Sequence, residues 1–297
     1  MEQLPPPSAR PPWEPEISTS PAWPPWFAFV GFAATLLCAS IAIVLILAVA
    51  GVNSSDDSPA VTVVATLIQG ACFVGVALVL ARSIAPPRPW HFGLRRAPLW
   101  GTVGWAALGM LSFYVLAAVY STIVNPKVEQ DVTDSLGADT GTLGLIAAGT
   151  MVIVVAPFVE ELFFRGFFYR SLRTRYPVVL AALVDGLIFG LIHFNFEGAE
   201  GLLILPPLAF LGVIFCLVYE KTKSLWAVIG MHAFNNTIAF AVQTKDVDGW
   251  QVAVVAGPIM LVACAVIPRL LPDGPPPLPP APRSEVGPRA QLSLPLQ

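Results

Sequence analysis

The chain has 297 residues, 56% of them hydrophobic and 12% charged, with a mean hydropathy of +0.72. A soluble domain carries about 25% charged residues, so the composition excludes a water-soluble globular protein and indicates a polytopic membrane protein. The net charge of -3 carries little meaning because the charges are segregated by loop, and no nucleic-acid partner is expected.

In chain order, residues 1–25 are proline-rich and lack apolar periodicity, which predicts a disordered tail. Residues 26–51 are uncharged and apolar, longer than the roughly 20 residues a crossing needs. No basic region adjoins this run, so no cleavable signal peptide is expected. An acidic loop at 53–59 leads to a second span, 60–81, and a basic loop from Arg82 to Arg96 leads to a third, 98–124. After the acidic stretch 125–140, the fourth span starts near Gly141 and extends to about Arg173. The fifth, 178–194, is followed by Glu197 and Glu200. The sixth, 202–219, opens with Pro206-Pro207, which predicts a kink or a short re-entrant entry. The seventh is 225–243, and the eighth, 250–267, contains Pro258. Residues 269–297 are again proline-rich and predicted to be disordered. The prediction is an all-α membrane domain, 26–268, of eight transmembrane helices. The four cysteines (Cys38, Cys72, Cys216, Cys264) lie in apolar runs and read as packing residues.

Loop charge gives an expected orientation. The loops after spans two, four and six carry four, four and two Lys or Arg, counting Arg165 with its loop. Those after spans one, three, five and seven carry none, one, none and one. By the positive-inside rule both termini face the cytoplasm.

Spans one, two, three, six and eight contain no ionisable residue. Spans four, five and seven contain Glu160, Glu161, Arg165, Asp185, His193 and His232, with Asn236 as an uncharged companion. A charge at bilayer depth costs about 2.5–3.5 kcal/mol on insertion scales unless it is paired or faces a hydrated cavity. At 1.5 Å per residue, these side chains can share one layer near mid-membrane.

Three constellations carry chemistry. In Glu160-Glu161-x-x-x-Arg165, the i, i+4 spacing lets Glu161 pair with Arg165. Glu160, turned about 100° away, stays available as a general base. Phe189-x-x-x-His193 places an aromatic ring and a histidine on one stripe, where His193 can share a bound water with Glu160. His232-x-x-x-Asn236 places two groups on one stripe that can donate to a developing oxyanion. Asn235, turned away, reads as packing. Asp185 extends a polar path or pairs with a basic residue. The aromatic run Phe163, Phe164, Phe167, Phe168 and Tyr169 reads as helix packing, and His91, in a basic loop, reads as solvated.

Taken together and in order, these motifs resemble the CAAX-protease and bacteriocin-processing family of intramembrane endopeptidases, over about residues 141–243. Trp90-His-Phe-Gly-Leu-Arg-Arg96 also resembles a loop often seen ahead of that family's catalytic half. The resemblance implies peptide-bond hydrolysis in the membrane, and the Ala-, Pro- and Arg-rich composition points to a bacterial cell membrane. Glu160 is then the base, His193 helps hold the water, His232 and Asn236 form the oxyanion site, and Glu161 with Arg165 braces the helix. Membrane lipid and a peptide or protein substrate are the expected partners. No His-Glu-x-x-His zinc motif is present; zinc or another divalent metal held by Glu160, His193 and His232 stays an alternative. An ion- or proton-coupled transporter and a non-catalytic scaffold or immunity protein are the competing functions.

Overall fold

A computed structural model describes residues 21–52, 58–124, 132–194 and 199–271. Residues 1–20 and 272–297, the bulk of the two expected disordered tails, lie outside the described residues, as does most of the acidic loop at 53–59 and Glu197. Among the described residues all regular structure is helical. We number the eight principal helices α1 (Trp26–Ala50), α2 (Pro59–Arg82), α3 (Leu99–Val124), α4 (Thr142–Arg173), α5 (Val178–Leu191), α6 (Leu205–Thr222), α7 (Leu225–Gln243) and α8 (Trp250–Leu270). Short helical turns at Pro89–Phe92, Val132–Ser135, Ala199–Ile204 and Lys245–Val247 join them.

Seven of these helices are long and apolar enough to cross a membrane. The fifth expected span is shorter than its sequence suggested. α5 has 14 residues, about 21 Å at 1.5 Å per residue, against a hydrocarbon core of about 30 Å. It ends in a turn over Ile192 and His193, so His193 sits just past its last helical residue. The proline pair of the sixth span makes no kink. Pro206 and Pro207 occupy the first turn of α6, where a missing N–H costs nothing.

α4 runs for 32 residues but is not uniform. Met151–Val155 and Phe164–Tyr169 are π-helical turns. The first has an identifiable cause. In the widened turn the Ala156 N–H reaches the Met151 carbonyl. The next donor in that register would be residue 157, which is proline and has none. The orphaned Val152 carbonyl is taken by Asn236 Nδ2 of α7, 2.9 Å away. Such bulges are frequent at functional sites; this one immediately precedes Glu160.

Small residues bring α5 onto α6. A Cβ added at Gly186 would lie 2.5 Å from the Ala209 carbonyl oxygen, and one at Gly212 would lie 2.7 Å from the Gly186 Cα. Close backbone approach of this kind drives helix association where lipid removes the hydrophobic incentive. The main core gathers the α4 aromatics: Phe163, Phe164, Phe167, Phe168 and Tyr169 are all fully buried.

Two expectations about the margins are corrected. Residues 21–25 were assigned to the tail, yet Trp23 is buried, 5.0 Å from the Phe92 ring and 5.3 Å from Phe167, with Arg170 over its face. His91 was read as solvated, yet it is buried. Its loop folds back under the bundle: the Gly93 carbonyl accepts from Leu225 N–H at 2.7 Å, and the Arg95 carbonyl accepts from Ser224 Oγ at 2.8 Å. Gly93 permits this with a left-handed φ of 89° and no side chain to strike Tyr219.

Candidate active site

α4, α5 and α7 deliver the expected side chains to one place. Glu160 Oε2 lies 3.9 Å from His193 Nε2 and 4.0 Å from His232 Nε2. The same oxygen is buried and has no hydrogen-bond partner. The Glu160 and His193 side chains keep 18% and 27% of their surface exposed, against 4% for His232. The site is therefore open on the Glu160–His193 side and closed behind His232.

Each imidazole is oriented from behind. His193 Nδ1 is 2.8 Å from the Phe189 carbonyl. A carbonyl only accepts, so Nδ1 carries the proton and Nε2 faces Glu160 with a lone pair. His232 Nδ1 is 2.9 Å from Glu161 Oε1, and a carboxylate likewise fixes a proton on Nδ1. Phe189 stands between the two rings, with centroids 5.0 Å from His193 and 5.8 Å from His232.

Glu161 is fully buried and also accepts from Arg165 Nη1 at 2.9 Å, one helical turn on. Arg165, itself fully buried, donates Nη2 to the Gly212 carbonyl at 3.0 Å and pairs through Nε with Asp185 Oδ1 at 3.4 Å. Its guanidinium lies over Phe189 and Phe215, at 4.4 and 5.1 Å from their centroids. Close Gly186–Gly212 packing brings the Gly212 carbonyl and Asp185 to the same arginine.

The pairing of Glu161 with Arg165 was legible as i, i+4 spacing. Its second bond, to His232, was not, because a contact across 71 residues leaves no local signal. Phe215 likewise gave none. Asp185 finds its basic partner in Arg165. Asn236 shares the α7 stripe with His232, but one amide hydrogen is committed to Val152, and its Oδ1 accepts from Asn235 Nδ2 at 3.4 Å.

Residues 142–238 match the family described as "Type II CAAX prenyl endopeptidase Rce1-like". This match supports the resemblance to the CAAX-protease and bacteriocin-processing family that the three motifs carry. All the residues of the site fall within the matched segment. A relative from Bacillus subtilis (strain 168), named "Putative membrane peptidase YdiL", is 26% identical over 188 residues, covering 61% of this chain and 71% of its own. A second from the same organism, "Uncharacterized protein YyaK", is 33% identical over 96 residues, covering 31% of this chain and 32% of its own. No solved structure matches the chain.

The donors do not fit a metal. For Zn–O and Zn–N bonds of about 2.1 Å, separations of 3.9 and 4.0 Å subtend about 136° and 144°, against about 109° for a tetrahedral ion. For hydrogen bonds of about 2.8–2.9 Å the same separations subtend about 90°, within the range of a bridging water. Among the described residues no group of three or more His, Cys, Asp or Glu is disposed to hold a metal ion.

Proposed function

We propose that the protein is an intramembrane endopeptidase that hydrolyses peptide bonds of membrane-associated peptides by a glutamate-activated water. One observation carries this reading: a partnerless buried carboxylate oxygen faces two imidazole Nε2 atoms at 3.9 and 4.0 Å. These gaps are too long for direct hydrogen bonds and suit an intervening water.

In this reading a water sits between Glu160 and His193. Glu160 takes its proton while the oxygen attacks the scissile carbonyl carbon. The tetrahedral intermediate collapses with cleavage of the C–N bond, and the proton on Glu160 passes to the leaving amine. His232 Nε2 lies on the closed side, where the oxyanion would develop. Acting as a donor there requires a second proton on the ring. Glu161 and Asp185 set against Arg165 leave one negative charge over, which balances that proton. Asn236, anchored through one amide hydrogen, offers the other as a second donor. Removing an oxyanion donor elsewhere costs about 2.7–4 kcal/mol of transition-state stabilisation. Glu161 and Arg165 hold His232 and brace α4.

The substrate is proposed only as a class, a peptide or protein segment lying at the membrane. The Rce1-like family description includes prenylated substrates; the apolar surroundings suit a lipidated or a plain apolar peptide equally. In this reading the basic loops and both termini face the cytoplasm, with eight passes if α5 counts as one, in a bacterial cell membrane.

The test is cleavage of a hydrophobic peptide library by the protein in vesicles made with ¹⁸O water. The expected result is new C-termini carrying the label, with about 10²–10⁴-fold fewer from Glu160→Gln. Label-free products, or equal turnover by the variant, would defeat the reading.

A further inference from the structure

A second cavity, of about 470 Å³, lies between α3, α7 and α8 and shares no side chain with the site above. It starts at the end of the bundle where α3 and α7 begin and α8 ends, and it runs inward to Met110, Phe234 and Leu261. Counted from Leu99 to Met110 and from Arg269 back to Leu261, that depth is about 12–16 Å at 1.5 Å per residue. This is about half the hydrocarbon thickness of a bilayer, one leaflet.

The chemistry of the lining is graded. The deep part is apolar. At the rim stand two guanidinium groups, Arg96 and Arg269, both exposed. Among the described lining residues none is acidic. Arg96 also fastens the rim, donating to the carbonyls of Pro268 at 2.9 Å and Arg269 at 2.6 Å. Between rim and depth lie two buried polar atoms without hydrogen-bond partners, Thr102 Oγ1 and Trp226 Nε1. Trp226 is only 7% exposed. A buried donor left unpaired pays its desolvation without return, so both atoms mark where an acceptor from outside the chain belongs.

We propose that this cavity binds one anionic glycerophospholipid of the adjacent leaflet. Its phosphate meets Arg96 and Arg269, its ester carbonyls accept from Trp226 Nε1 and Thr102 Oγ1, and one acyl chain fills the apolar depth. A basic pocket between membrane helices is suited to an anionic headgroup. The order cation, donor, apolar wall along one leaflet matches the order phosphate, ester, chain. A free phosphate would leave the apolar depth empty, and a plain apolar helical peptide would bring no free acceptor to Trp226 Nε1 and Thr102 Oγ1. The proposal does not depend on the peptidase reading.

The test uses the full chain in vesicles of equal parts phosphatidylglycerol and phosphatidylcholine, released into mild detergent and weighed by native mass spectrometry. One retained phospholipid is expected, with phosphatidylglycerol favoured several-fold. Arg269→Gln should bring the ratio of the two lipids toward one. Gly230→Leu should abolish retention, because a side chain there enters the cavity while its Cβ makes only ordinary contacts of 3.6 and 3.7 Å. Melting of each variant is measured alongside, and Ala107→Trp fills the same space from α3 should Gly230→Leu fail to fold. No retained lipid, an even lipid ratio in the unaltered chain, retention that survives filling of the cavity, or a retained isoprenoid or peptide would each overturn the proposal.

Discussion

Two neighbouring glutamates in this chain have opposite fates, and the difference lies in what each one touches. Glu161 is fully buried, and its Oε1 receives both Arg165 and His232 while its Oε2 has no hydrogen-bond partner. Glu160 faces the open side with an oxygen that nothing in the protein satisfies. The account therefore separates their substitutions. Glu160→Gln should remove about 10²–10⁴-fold of turnover, the usual range for a general base, with little change in melting temperature. Arg165→Met should instead cost about 3–5 kcal/mol of stability, because it leaves Glu161 and Asp185 as buried carboxylates without their cation. Asp185→Asn should be far milder, since Arg165 and Glu161 still pair at 2.9 Å. Melting in detergent, read beside turnover, checks all three. An Arg165→Met protein as stable as the parent would show that the buried charges are not coupled as described.

At the scale of elements, the sequence was most legible where spacing is local. The i, i+4 rule anticipated Glu161 with Arg165, and hydropathy anticipated the continuous α4 from Thr142 to Arg173. Where the outcome depends on a second element, the sequence was silent. α5 reads as a span by composition, but it stops after 14 residues. The loop around His91 reads as solvated from its arginines, but pairing with Leu225 and Ser224 draws it under the bundle. That burial has a measurable consequence. Desolvation first, then the charges of Arg170, Arg88 and Arg95, lower the His91 pKa from its ordinary value. Its Nδ1 accepts the Arg88 N–H at 3.1 Å, a bond that suits the neutral ring. Below about pH 6.5 the unfolded chain then binds the proton more readily than the folded one, so folded stability is full above that pH and falls as the pH drops. His91→Asn, which keeps an acceptor for Arg88, should flatten the acid limb of a melting-temperature profile. A profile unchanged by the substitution would contradict this.

Among the described residues, the acidic, basic and histidine side chains away from the helix ends lie on α4, α5 and α7, and the other helices pack around them. This division bears on the competing functions. A coupled transporter needs its buried charges to exchange partners, whereas Glu161, Arg165 and Asp185 are locked to one another and to the Gly212 backbone. A scaffold would not need an unsatisfied carboxylate facing two imidazoles. The donor separations also predict that a strong chelator leaves peptide cleavage intact; loss of turnover restored by zinc would contradict the water-filled geometry. The most direct test of the central claim compares the protein and its Glu160→Gln variant in vesicles, on one hydrophobic peptide library, by mass spectrometry of the products. The account predicts cleavage products from the former and about 10²–10⁴-fold less from the latter at equal folded protein. Products of equal amount from both would contradict it.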